Sequence, residues 1–139
     1  MIKHKANLEN LHLFMEYALR FAEDSGLNKT DLARLELAIE ESVVNIISYA
    51  FPGRKGEIEM SCESRKDSIV IELKDNGLPF NPLEKEDPDI TASVEDRKVG
   101  GLGIYLVKNI MDEVSYKYHD GCNILTLLKR VSKGEESVI

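Results

Sequence analysis

The chain has 139 residues, 42% hydrophobic and 31% charged, enough for one domain with its own core and too little for two. Eighteen basic residues against 25 acidic ones leave a net charge of −7, and no basic run exceeds a pair, which argues against nucleic acid as a direct partner while leaving room for a local phosphate pocket. No apolar stretch approaches the roughly 20 residues that cross a bilayer, and the first ten residues hold no apolar signal-peptide core, so the expected location is cytoplasmic with no membrane partner.

Leu8, Leu11, Met15, Ala18, Leu19 and Ala22 recur at helical spacing and predict a first amphipathic helix over Asn7 to Asp24, stopped by Ser25-Gly26. A second helix starts near Asn28 or Thr30, both suitable N-caps, and runs to about Ala50, where Pro52-Gly53 ends it. Its core stripe is Leu32, Leu35, Ile39, Val43, Ile46 and Ala50. The period then changes to two: Ile58, Met60 and Cys62 alternate with polar residues, as do Ile69, Ile71 and Leu73 beyond a polar link from Ser64 to Ser68, which predicts an antiparallel pair. Leu78 to Val99 carries Pro79, Pro82 and Pro88 among acidic residues and reads as a long loop, a length more often functional than idle. A third helix follows the glycines 100, 101 and 103 with Ile104, Leu106, Val107, Ile110 and Met111 inward. Val114, Tyr116 and Tyr118, the hairpin signal Asp120-Gly121, and Ile124 to Val131 close the domain with two more strands. A short strand at Ile2 to Ala6 is also possible, and the tail from 133 to 139 reads as frayed. This order predicts an α+β, two-layer sandwich over residues 1–132, a mostly antiparallel sheet with helices on one face. Cys62 and Cys122 match no metal spacing and read as reduced thiols.

Three clusters can carry chemistry. Glu41 and Asn45 lie four residues apart in the second helix and project from one face, polar within an apolar segment. An asparagine near a core needs a partner, and a Mg²⁺ ion shared with phosphates supplies one, with Glu41 placed to deprotonate an attacking group. A solvated or capping pair is the plain alternative. Asp75-Asn76-Gly77 puts a carboxylate at a strand end and is, in isolation, a turn. Gly101, Leu102 and Gly103 open a helix whose free N–H groups can seat an anion.

Taken in this order, the stretches LAIEESVVNIISYA (37–50), VIELKDNGLPFNP (70–82) and GGLGIYLVKNIMDEVSY (100–116) followed by DGCNILTLLKR (120–130) resemble the GHKL ATPases, and most of all the anti-sigma-factor serine kinases of the RsbW and SpoIIAB type. The resemblance implies a GHKL (Bergerat) fold that binds ATP and Mg²⁺. It implies Glu41 as catalytic base, Asn45 as Mg²⁺ ligand, and Asp75 as acceptor from the adenine amino group. Gly77 would let the base pack against the backbone, Leu78 to Val99 would form a lid, and Gly101, Leu102 and Gly103 would meet the phosphates. Thr126 would assist in binding adenine. The implied activity is transfer of the ATP γ-phosphate to a serine or threonine of an anti-anti-sigma (STAS-domain) protein by a homodimer that also binds a sigma factor. The sequence departs from many relatives at Pro79, where they carry a second glycine, and stiffens the first hinge of the lid. Glu40 is an alternative base, and Arg97 with Lys98 an alternative phosphate contact or a solvated pair. Competing functions are a nucleotide-dependent binding switch without transfer and a detached histidine-kinase domain, the latter disfavoured because His4, His12 and His119 sit in no phosphoacceptor-like helix.

Overall fold

The computed structural model describes residues 1–84 and 101–131. Along the chain run β1 (Ile2–Lys5), α1 (Leu11–Asp24), α2 (Lys29–Tyr49), β2 (Glu57–Ser64), β3 (Ser68–Asp75), α3 (Gly101–Ile110), β4 (Glu113–His119) and β5 (Cys122–Arg130). The five strands form one antiparallel sheet in the order β1-β2-β3-β5-β4. The fold is the expected α+β architecture. Residues 85–99 of the expected lid, Arg97 and Lys98 among them, and the tail lie outside the described residues.

Local chemistry accounts for the boundaries. Asn7 begins not α1 but a 3-10 turn, Leu8–Asn10, by accepting the Asn10 N–H at 3.0 Å. Leu8 is consequently exposed, and α1 buries Ala18 and Ala22 of the predicted stripe together with Phe14, which that stripe lacks. Leu11, Met15 and Leu19 flank it, half-buried. The helix ends in a Schellman motif at Gly26, φ +97°, with Leu27 N donating to Ala22 O and Gly26 N to Glu23 O. Of the two candidate caps for α2, Asn28 is the one used, accepting from Asp31 N at 2.8 Å. Asp120 and Gly121, φ 51° and 76°, turn β4 into β5 with the positive φ pair that a tight hairpin of this hand requires.

Alternation in the strands sends Ile58, Met60, Ile69, Ile71, Leu73, Leu125 and Leu127 to one face, where they join Phe14, Leu35, Ile39, Val43, Ile104 and Val107 of the helices in a single core. Cys62 and Cys122 are free thiols. Burial pushes the Cys62 thiol up to about 11, so it stays protonated and unreactive at neutral pH. Among the described residues no helix is long and apolar enough to cross a membrane.

The functional consequence of the topology is that β5 inserts beside β3. Residues 48 positions apart, Asp75 at the end of β3 and Asn123 at the start of β5, become direct cross-strand partners.

Candidate functional site

Asp75 and Asn123 stand on the helix-facing side of the sheet and form the floor of a narrow cleft, together with Ser42, Asn45 and Ile46 of α2, Phe80 and Pro82 of the loop after β3, Tyr116 of β4 and Leu125. Its free space is that of about one water molecule, so a larger ligand reaching Asp75 must displace part of the lining. Phe80 is itself held against Tyr49, their rings stacked 5.3 Å apart.

Asp75 is 3% exposed. Its Oδ1 accepts from Gly77 N and from Asn123 Nδ2, both at 2.9 Å, while Oδ2 has no hydrogen-bond partner among the described residues. A buried carboxylate oxygen in that position is a ready acceptor for a ligand N–H. Burial raises the Asp75 carboxyl above the usual carboxylate range, and the Asn123 and Gly77 hydrogen bonds pull it partly back. Because the folded carboxyl holds its proton to higher pH than the unfolded one, this group costs stability increasingly as pH rises through its raised pKa. Asp75→Asn keeps an accepting oxygen for Gly77 and Asn123 and removes the charge. We expect its urea midpoint to gain on the wild type as pH rises through that range. Where the adenine amino group donates to this oxygen, as the resemblance implies, nucleotide affinity should nevertheless fall about tenfold or more, because a donor NH₂ replaces the open acceptor.

Asn123 has all its hydrogen-bonding capacity met within the fold. Nδ2 donates to Asp75 Oδ1 and to Leu78 O at 2.8 Å; Oδ1 accepts from Phe80 N at 2.9 Å and from the Tyr116 hydroxyl. It thus ties the site carboxylate to the first residues of the loop. The sequence reading passed over it, although a polar amide at the head of an otherwise apolar strand was a usable signal. The residue singled out instead, Thr126, is a correction: it pairs with Glu72, three positions from Asn123, and odd spacing along a strand places it on the opposite face of the sheet from Asp75. It does not reach the cleft.

Gly77 is buried for a steric reason. A Cβ there would collide with the carbonyl oxygen of Ala50 and lie 2.7 Å from its Cβ, and the next residue, Leu78, donates to that same carbonyl at 2.8 Å. The Asp75-Asn76-Gly77 turn is therefore pressed against the C-terminal end of α2, backbone on backbone, where neither side can yield cheaply. Gly77→Ala should cost about 1–3 kcal/mol, read from the urea midpoint, by displacing the turn from Ala50.

Glu41 and Asn45 lie one turn apart on α2, both half-buried, and among the described residues neither side chain makes a hydrogen bond. Asn45 lines the cleft. Glu41 faces α3, its Oε2 2.6 Å from where a Cβ on Gly103 would stand. The structure thus brings Glu41 against the first turn of α3, which Gly101, Leu102 and Gly103 form and whose leading N–H groups lack partners within the helix. Only glycine at 103 leaves the carboxylate room. Gly103→Ala should swing Glu41 aside at little cost in stability, because the obstruction is the end of a flexible side chain. Where Glu41 is the base that the resemblance implies, turnover should drop more than nucleotide affinity, a separation that steady-state kinetics beside direct binding would show. Glu40, the alternative base, is exposed.

The donor set fits Mg²⁺. The Asn45 oxygen is hard, and among the described residues it is unpartnered and no cluster of three His, Cys, Asp or Glu could hold an ion unaided. An ion here would draw its other ligands from phosphate and water, as Mg²⁺ commonly does.

The profile of the histidine kinase-like ATPase domain matches residues 4–129, and the chain belongs to that family. It is 33% identical to the serine/threonine-protein kinase BtrW of Bordetella bronchiseptica, over 79% of this chain and 81% of that protein. It is 32% identical to the serine-protein kinase RsbW of Bacillus cereus over 75% and 68%, and 27% identical to RsbW of Listeria monocytogenes over 75% and 69%. Among solved structures, the catalytic domain of the histidine kinase ThkA superposes with a TM-score of 0.56 at 15% identity, covering 94% of this chain and 97% of that one, and a blue-light-activated histidine kinase of Erythrobacter litoralis with 0.58 at 13%, covering 79% and 33%. At those identities the likeness is one of fold.

Proposed function

We propose that this chain is an ATP-dependent protein serine/threonine kinase and anti-sigma factor, acting on a STAS-domain anti-anti-sigma partner in a partner-switching pathway. The observation that carries it is the pairing in one cleft of two polar groups unmet among the described residues, Asp75 Oδ2 and the Asn45 amide, with the Glu41 carboxylate one helical turn away at the head of α3. The names borne by the curated relatives support the same reading.

Each residue then has a part. Asp75 accepts from the adenine amino group, and Asn123, not Thr126, holds Asp75 in place. Gly77 keeps the turn against α2. The leading amides of α3 at Gly101, Leu102 and Gly103 receive phosphate oxygens. Asn45 would hold Mg²⁺, which when bound supplies neutralisation of phosphate charge. Glu41 takes the proton of the attacking hydroxyl. Such a layout needs no covalent intermediate, because phosphoryl transfer depends mainly on positioning and electrostatics. The added phosphate brings about −1.5 to −2 charges to the partner, enough to open a close interface and release the kinase to its sigma factor. The working unit is a cytoplasmic homodimer.

A nucleotide-dependent switch without transfer is the second reading, favoured by the tie that Asn123 makes between Asp75 and the loop at Leu78 and Phe80. Incubation with γ-labelled ATP, Mg²⁺ and STAS-domain proteins of the same genome separates the two. Phosphoserine or phosphothreonine on one candidate supports the kinase. Binding of Mg²⁺-ATP with no transfer to any candidate supports the switch, and failure to bind ATP overturns both.

A further inference from the structure

A second cleft, about 580 Å³, opens where β1 ends and the α2–β2 connection passes it. It shares no lining residue with the cleft at Asp75. Lys5, Arg54 and Lys55 line it against one acidic residue, Glu57. On a chain with a net charge of −7, three cations converging on one depression are a local reversal of sign. Neither Lys5 nor Lys55 has a carboxylate within salt-bridge distance among the described residues, and Arg54 donates only one N–H, to Asn76 O at 3.2 Å. A guanidinium has five, so most of its capacity is open.

The kind of anion follows from how the cations are mounted. Lys5 stands at the end of β1 and Arg54 and Lys55 on the α2–β2 connection, so the charges come from two separate segments of chain. Four of the backbone N–H groups around the cleft are engaged, Ala6 with Gly56 O, Asn7 with Lys5 O, Arg54 with Phe51 O, and Glu57 with the Asn76 side chain. Long, separately mounted cations suit several carboxylates spaced along an extended segment. Nucleic acid is opposed by the acidity of the rest of the surface and by the small number of cations.

We propose that this cleft is a docking site for an acidic, carboxylate-rich segment of a protein partner, held by Lys5, Arg54 and Lys55. It is separate from the nucleotide site and stands whether or not the kinase reading does.

The test uses the full chain and a labelled decapeptide of alternating Asp and Glu with alanine spacers, beside its Asn/Gln counterpart. The acidic peptide should bind at least roughly tenfold tighter than the neutral one, weaken with added salt, and shift the backbone amide resonances of residues 5–7, 54–57 and 76. Lys5→Gln with Arg54→Gln and Lys55→Gln should lower its affinity roughly tenfold with thermal melting unchanged, since all three side chains are exposed. The double variant Lys5→Gln with Lys55→Gln, which spares the Arg54 hydrogen bond to Asn76, should lose a large part of that affinity. The proposal is overturned if the acidic peptide binds no better than the neutral one, if the variants bind as the wild type does, or if the shifts fall elsewhere. Equal use of the same residues by inorganic phosphate or a ten-nucleotide RNA overturns it as well.

Discussion

Glu41→Ala should lower phosphoryl transfer by about 10²–10⁴-fold, the range over which a positioned general base contributes, while leaving ATP affinity within a factor of about two. The separation follows from where the carboxylate sits. Asp75, on which base recognition is proposed to rest, is held by Gly77 and Asn123, and neither touches Glu41 through any hydrogen bond. Glu41 instead lies half-buried against Gly103 at the head of α3. Single-turnover transfer from γ-labelled ATP, measured beside nucleotide binding by calorimetry, gives both quantities. Glu40→Ala is the control: that side chain is exposed, and its loss should leave transfer unchanged. If Glu41→Ala transferred at the wild-type rate, or Glu40→Ala failed, the base would be misassigned.

Asn123→Ala should be the most damaging substitution for the fold of the site, and Thr126→Ala on the same strand should be nearly silent. Truncating Asn123 strips the buried Asp75 Oδ1 of one donor and takes from Leu78 O, Phe80 N and the Tyr116 hydroxyl the part-buried hydrogen bond that each makes to it. Each such group costs about 1–3 kcal/mol, partly recovered by relaxation and water, so a net loss of about 2–4 kcal/mol is expected. Nucleotide affinity should fall with it, because the Asp75 carboxylate loses its orientation and the loop its anchor. Thr126 faces the other side of the sheet opposite Glu72, and its removal should change stability by no more than about 0.5 kcal/mol and binding not at all. Urea denaturation and nucleotide titration of the two variants, side by side, check this. A Thr126→Ala variant that lost nucleotide binding would mean that the register between β3 and β5 is misread.

Most of the secondary structure was legible in the sequence because it is governed by short-range rules. The period of apolar residues marks the three helices and the alternating strands, Asn28 caps α2 by accepting the N–H of Asp31 three residues on, and Asp120-Gly121 encodes a hairpin turn in two residues. In the stripe of α1, Ala18 and Ala22 are buried as expected, whereas Phe14 takes the place expected of Leu8, since the two are equally apolar on paper and only packing against α2 and the sheet selects Phe14.

The candidate site divides along the same line. Glu41, Asn45, Asp75 and the glycines of α3 stand out as residue types in a pattern, so the sequence by itself determined which chemistry the chain can offer. Their meeting is a matter of tertiary structure. That Gly103 borders Glu41, that Gly77 is pressed on Ala50, and that Asn123 rather than Thr126 supports Asp75 all depend on contacts between segments 27 to 62 residues apart. Strand parity turns on a single residue of register, and no local propensity fixes how β5 aligns with β3. Long-range pairing decides that alignment, because only one register buries Leu125 and Leu127 with Leu73 and Ile71, and the same register delivers Asn123 to Asp75.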